Sequence, residues 1–137
     1  MPNAYVMWIA LLSLLLLGAC GTAMRDGSLP VTSPVEEITP AEQMLSGGMK
    51  SYEEGDYNDA LKALNAALET GLSKKSDRVL AYKYSAFIHC VSGRDRQCRD
   101  AFRKVLEIDP AFDLKPAEAG HPIWGPAFRS IKAKSAK

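Results

Sequence analysis

The sequence predicts an all-α protein in which two helical hairpins stack into a short solenoid and a proline-rich C-terminal segment covers one end. Helix-forming residues dominate residues 41–112, and no strand-like alternation of apolar and polar residues persists there. Two polar breaks, EGDY at 54–57 and SGRD at 92–95, each place a glycine where one helix would end and a polar residue where the next would begin. These glycines, Gly55 and Gly93, are 38 positions apart, which indicates an internal repeat.

The N-terminal segment predicts export. The first 24 residues carry no Lys, Arg, Asp or Glu, and the leucine-rich run is shorter than the roughly 20 apolar residues of a membrane-spanning helix. The run ends in LGAC at 17–20, which resembles a bacterial lipobox. The resemblance implies that residues 1–19 are a lipoprotein signal peptide and that Cys20 carries a diacylglycerol and an N-acyl chain. Because Gly21 stands where a retention Asp would keep a lipoprotein in the inner membrane, it also implies the periplasmic face of the outer membrane. The alternative is an ordinary signal peptide or anchor helix with a chance cysteine.

The internal repeat resembles the tetratricopeptide repeat (TPR). The first copy is GGMKSYEEGDYNDALKALNAALE and the second is AYKYSAFIHCVSGRDRQCRDAFRKVLEIDP. In register, Gly48 of the first copy matches Ala86 as the small residue where the two helices touch. The inner faces of the second helices then pair Ala60, Leu64 and Ala67 with Cys98, Phe102 and Val105. The alternative is a generic four-helix domain with an accidental similarity.

The resemblance also implies a concave groove lined by the first helix of each pair. Position by position, the candidate groove residues are Leu45, Met49, Tyr52, Leu80, Lys83 and Phe87. This lining is mostly apolar, with methionine and aromatic surface that suits a peptide or a helix. With only two repeats, either the tether or the C-terminal segment is an alternative occupant of the groove.

Two segments flank the repeats. Residues 20–40 hold Cys20 and are rich in Pro, Gly, Ser and Thr, which predicts a flexible tether. Residues 113–137 contain prolines that exclude a continuous helix, so we expect an irregular crossing followed by a short helix from about Pro126. We expect this segment to cap the last repeat helix through Trp124, Phe128 and Ile131.

Cys90 and Cys98 lie on either side of the second break. A helical hairpin places them on antiparallel neighbours, and an oxidising periplasm would favour a disulfide. The expected register is imperfect, because it brings Cys98 nearer to Ala86 or Phe87 than to Cys90. The alternative is a pair of buried free thiols, and the lack of a CxxC motif disfavours a redox-active pair.

The remaining polar residues predict no enzyme. His89 and His121 lack ligands at metal spacing, and neither a nucleophile elbow nor a phosphate-binding glycine loop is present. We therefore expect no catalytic residues, no metal and no cofactor beyond the lipid on Cys20. The net charge of +1 gives no field for nucleic acid. A basic cluster in the second repeat is expected to be a solvated face, with an acidic partner or lipid head groups as the alternative; it comprises Arg94, Arg96, Arg99, Arg103 and Lys104.

These expectations combine into one functional hypothesis. The chain would be a non-enzymatic outer-membrane lipoprotein whose repeats bind another envelope protein or a peptide segment, as a scaffold or an assembly factor of the secretion-accessory kind. It would contact the membrane through its lipid and would bind neither nucleic acid nor a small-molecule substrate. The alternative is a module that binds the cell wall (peptidoglycan) or regulates an envelope enzyme.

Overall fold

The computed structural model describes residues 37–135. The predictions for the leader, for Cys20 and for nearly all of the 20–40 tether fall outside these residues. Among the helices within this range, none combines the length and apolar character needed to cross a bilayer.

The described residues form six helices and no strand, which confirms the predicted all-α class. The helices are α1 (Pro40–Glu53), α2 (Tyr57–Thr70), α3 (Lys75–Val91), α4 (Asp95–Ile108), α5 (Pro116–Ala119) and α6 (Trp124–Ser135). Helix α1 packs on α2 and α3 packs on α4, while α2 and α3 join the two pairs. Helix α6 lies against α4 and closes the C-terminal end.

Local chemistry explains where the first two helices begin. The Thr39 hydroxyl accepts a hydrogen bond from the Glu42 amide at 3.2 Å, and the Glu42 carboxylate accepts one from the Thr39 amide at 2.8 Å. Pro40 takes the first helical position, where its missing N–H costs nothing. The carboxylate of Asp56 caps α2 by accepting from the Asp59 amide at 3.4 Å.

The two hairpin turns share one backbone geometry. Gly55 and Gly93 have φ values of 83° and 69°, in the left-handed region that glycine adopts without strain. The Asp56 amide donates to the Ser51 carbonyl at 2.8 Å, and the Arg94 amide donates to the His89 carbonyl at 2.9 Å. This paired bonding closes both helix ends in the same way, so the two predicted breaks are equivalent turns.

Small residues set the spacing of the first helix pair. A β-carbon on Gly48 would lie 2.9 Å from Leu64 Cγ, so a larger side chain would not fit between α1 and α2 at this separation. The pairing positions of the two repeats are all buried; they are Ala60, Leu64, Ala67, Ala86, Cys98, Phe102 and Val105. The burial therefore follows the register expected from the sequence.

The C-terminal segment matches its prediction in part. Phe128 and Ile131 are buried against α4, and the Phe128 and Phe102 rings lie 5.2 Å apart. Helix α6 begins at Trp124, two residues before the expected start, and the crossing contains the unpredicted helical turn α5. Trp124 was expected on the last repeat helix, but its ring stacks on Phe87 of α3.

Candidate functional site

The Cys90 and Cys98 sulfurs lie at disulfide-bonding distance, with the Cα atoms 5.0 Å apart. Both residues are buried in the core between α3, α4 and α6. The expected register, with Cys98 nearer to Ala86 or Phe87, is wrong. Cys90 and Cys98 are equally distant in sequence from Arg94. Because the turn is tight, they face each other across it.

The six predicted groove residues divide into two groups. Leu45, Met49 and Tyr52 lie on α1, where Leu45 is buried and the other two are partly buried. Leu80 is partly buried near the start of α3. Lys83 and Phe87, farther along α3, are only 4% and 2% exposed. The predicted groove is therefore open in one part only. We call the open part, next to Leu45 and Met49, the open pocket, and the part around Lys83 and Phe87 the covered half.

The open pocket lies between α1 and the start of α3 and has a volume of about 480 Å³. Leu45 and Met49 supply its apolar lining, and Ile38 stands at its edge with 63% of its surface exposed. The full lining is Ile38, Glu42, Leu45, Ser46, Met49, Lys50, Glu53, Lys74 and Asp77. The lining thus combines a small apolar surface with six polar or charged residues.

One ion pair joins α1 to the residue that precedes α3 at the open pocket. Lys74 Nζ lies 3.0 Å from Glu42 Oε1. Hydrogen bonding to the Thr39 amide, followed by bonding to Lys74, lowers the pKa of Glu42. Glu42 thus stays ionised and serves both the start of α1 and the contact with the chain before α3.

The covered half is centred on a shielded ion pair that joins α3 to α5. Lys83 Nζ lies 2.6 Å from Glu118 Oε1, and the two side chains are 5% and 20% exposed. The ammonium also lies 4.8 Å from the centre of the Tyr84 ring and 5.5 Å from that of Phe87. A lysine this buried needs a counter-charge, and Glu118 supplies it.

Trp124 completes the cover over Phe87. The two rings stack with centroids 4.4 Å apart, and Trp124 Nε1 donates to the Glu118 carbonyl at 2.9 Å. The other face of the indole carries the His121 ring, with the centroids 3.2 Å apart. In the covered half, the C-terminal segment therefore fills the groove, which was one of the alternatives that the sequence left open. Lys83 and Phe87 do not line an open surface.

Sequence reasoning missed Glu118 and the helical turn that presents it. The Glu118 carboxylate also accepts from the Lys115 amide at 3.0 Å, which fixes the start of α5. The stretch KPAE at 115–118 carries a signal for this, because proline at the first helical position and glutamate at the third favour a helix start. The pairing of Glu118 with Lys83 has no such local signal.

Aromatic rings join the open pocket to the covered half. The Tyr52 ring lies 4.9 Å from that of Tyr84 and 5.8 Å from that of Tyr57. Burial raises the pKa of Tyr52 and of Tyr84, and the nearby Glu118 charge raises both further. Both phenols are therefore neutral near pH 7. These rings pack on one another between the two parts of the groove.

The remaining candidate residues lie outside the open pocket and the covered half. His89 Nδ1 is buried without a hydrogen-bond partner, and burial together with the Arg94 charge lowers the pKa of its ring. Arg96 and Arg103 are exposed, and each pairs with Asp100. Within residues 37–135, no three His, Cys, Asp or Glu side chains are placed to hold a metal ion.

No protein-family model, curated protein or solved structure matches the chain. Three features of the molecule bear on its function: the open pocket, the covered half and the Cys90–Cys98 pair.

Proposed function

We propose that this chain is a non-enzymatic lipoprotein of the bacterial outer membrane whose helical domain binds a segment of another envelope protein. The observation that carries the proposal is the open pocket between α1 and α3, which leaves an apolar floor and the exposed Ile38 accessible. The protein would act as a scaffold or assembly factor, and a secretion-system accessory is the form of that role we favour.

The LGAC sequence and the paired cysteines support the same compartment. The lipobox-like sequence implies export and lipid attachment at Cys20. Two cysteines at bonding distance suit an oxidising space such as the periplasm, since thiols of cytosolic proteins are kept reduced. Both features therefore support an exported domain.

The dimensions of the open pocket favour a peptide segment as the partner's contact. A volume of about 480 Å³ accommodates a few side chains rather than a folded domain. Met49 offers a flexible, polarisable surface, and Lys50 and Glu53 surround it with charge of both signs. We expect a helical or extended segment with one or two apolar side chains to insert over Leu45 and Met49.

Two methionines on α1 provide the matched test. Met49 lines the open pocket, whereas Met44 is 38% exposed, is not part of the lining and contacts Thr70 of α2. Tagged wild-type, Met49→Glu and Met44→Glu chains would be crosslinked in native envelopes, and circular dichroism would verify their folding. We expect a partner captured by the wild type and Met44→Glu but lost with Met49→Glu. Equal capture by all three chains would contradict the proposed site.

Lipid anchoring has its own test. A Cys20→Ser chain should remain an uncut, unlipidated precursor, because the side chain that accepts the diacylglycerol is absent. Intact mass and membrane fractionation measure this directly. A Cys20→Ser chain that is anchored and processed like the wild type would refute the lipoprotein assignment.

The cell-wall alternative draws less support from the aromatic residues. Stacking against a sugar requires a ring with a free face, but Trp124 lies between His121 and Phe87. Tyr52 and Tyr84 pack edge-to-face on each other. Cosedimentation with isolated peptidoglycan tests this alternative, and binding that survives Met49→Glu would favour it.

A further inference from the structure

Helix α5 is attached to the domain by the polar contacts of Glu118 and by Ala119, which packs against the core between α3, α4 and α6. None of its residues, Pro116 to Ala119, is buried. Glu118 accepts four hydrogen bonds: its two carboxylate oxygens accept from Lys83 and the Lys115 amide, and its carbonyl accepts from Trp124 and the His121 amide. Glu118 thus supplies the ionic contact between this helical turn and α3.

We propose that the α3 surface around Lys83 and Phe87 is a receptor site for a peptide bearing a carboxylate and an aromatic ring. Residues 115–124 occupy this site within the chain, with Glu118 and Trp124 as the two recognised groups. An envelope-protein segment with the same two groups displaces them. This inference rests on the proposed function, because it identifies the chemistry of a partner segment on the concave side.

Charge complementarity defines the ligand. Lys83 is shielded by Tyr84 and Phe87, so an occupant without a carboxylate would leave a buried, uncompensated cation. Phe87 needs a ring that stacks, since the contact with Trp124 is nearly parallel at 22°. The charge of Lys83, left unpaired, excludes apolar peptides. The ring of Phe87 selects those acidic peptides that also carry an aromatic side chain.

The cap has anchors on both sides of the segment, although displacement breaks contacts with α6, including the hydrogen bond that Arg129 donates to the Ala119 carbonyl at 3.0 Å. Leu114 is buried before it, and Asp113 is fixed to Lys132 of α6 at 2.7 Å. Phe128 and Ile131 hold α6 on α4 after it. Residues 115–124 therefore lie between two anchors, and the tethered occupant competes at an effective concentration on the order of millimolar.

Displacement would extend the binding surface. Tyr52 of α1 contacts Tyr84 of α3, and Tyr84 lies beside Lys83 and Phe87. Neither tyrosine lines the open pocket, but Tyr52 precedes Glu53 of its lining, so the two parts of the groove are neighbours along α1. A partner that seats an apolar side chain in the pocket and a carboxylate on Lys83 would bind along both.

Hydrogen exchange on the full chain in detergent tests the internal contact. Glu118→Gln removes the charge that faces Lys83, and Glu107→Gln removes an exposed partner of Lys104 at 2.8 Å as the matched control. We expect amides of residues 115–123 to exchange about tenfold faster in Glu118→Gln, equivalent to about 1.4 kcal/mol. Exchange in α3 and in α6 beyond its first turn should be unchanged, and Glu107→Gln should match the wild type. An unchanged loop, or faster exchange throughout α6, would overturn the proposal.

Peptide binding tests recognition itself. The probe is a fluorescein-labelled peptide with the sequence of residues 113–125, measured by anisotropy against the full chain. We expect it to bind the Glu118→Gln chain at least about fivefold more tightly than the wild type, because the internal competitor is weakened. Peptides carrying Glu118→Gln or Trp124→Ala should lose binding, as should a chain that combines Lys83→Met with Glu118→Gln. Equal affinity across these peptides and chains, or no binding to any chain, would overturn the assignment.

The outcome also separates this site from the proposed function. The peptide assay contains no envelope partner and does not use Met49. Peptide binding together with failed envelope capture would reject the proposed function and support the receptor site. A wild-type chain found by light scattering as a dimer that dissociates in Glu118→Gln would instead assign the site to a second copy and overturn a separate partner.

Discussion

Gly48→Ala tests whether close contact between α1 and α2 holds the first hairpin together. The new β-carbon would lie 2.9 Å from Leu64 Cγ and 3.1 Å from the Leu64 backbone nitrogen. Leu64 is fully buried, so its side chain has no space to withdraw, and the backbone atom can retreat only if the helices separate. Overpacking of this kind costs about 3 kcal/mol at the upper end of its range, while replacing a helical glycine by alanine gains about 1 kcal/mol. We expect the free energy of unfolding to fall by about 2 kcal/mol, the difference of these two.

The neighbouring glycine is the control. A β-carbon on Gly47 would meet no atom within 4 Å, so Gly47→Ala keeps only the gain in helix propensity and should stabilise by about 1 kcal/mol. Urea unfolding of the full chain in detergent, followed by circular dichroism, measures both variants. The two midpoints should move in opposite directions. A shift of both in the same direction would refute the argument that the helix contact at Gly48 limits its size.

Two further predictions concern the second hairpin. Reduction of the Cys90–Cys98 pair should lower the free energy of unfolding by about 2–3 kcal/mol, the loop entropy expected for a closure this short, and urea midpoints with and without reductant measure it. Equal alkylation of the unfolded chain with and without prior reduction would show that no disulfide had formed. Because burial lowers the pKa of His89 below its ordinary value of 6.5, the unfolded chain binds the proton more readily, and stability should fall as pH drops below about 6.5 toward the lowered value. His89→Gln should flatten this fall between pH 7 and 5, and parallel pH profiles for the variant and the wild type would contradict the assignment.

The helix pairs were predictable because their determinants are local. Gly55 and Gly93 indicate turns because glycine adopts a positive φ without strain. Capping residues such as Asp56 come directly after these glycines. The small residue at Gly48 and the buried Leu64 obey the helical period, so their contact could be expected. These signals lie within one hairpin and need no knowledge of the rest of the chain.

The state of the groove could not be predicted in the same way. Lys83 and Glu118 are 35 residues apart, and no sequence periodicity relates them. Lys83 was assigned to an open groove because its position in the repeat matches a groove-lining position that the TPR resemblance implies. Trp124 was expected on α4, but its ring packs on α3. An apolar residue near a helix start gives no indication of which neighbouring helix it will contact. The ion pair between Lys83 and Glu118 and the stacking of Trp124 on Phe87 determine which part of the groove is covered.

The cap that α6 places on α4 imposes an order of events during biosynthesis. The core of the first hairpin is complete once α3 has been made, because its buried residues end at Ile88. The second hairpin has no cover until Phe128 and Ile131 emerge, since both belong to its core. In the exported protein that we propose, a chain that crosses the membrane from its N-terminus would present Cys90 and Cys98 to an oxidant before the cap arrives. The twelve-residue helix α6 would then cover the core of the second hairpin, so the pair would be joined first and buried afterwards.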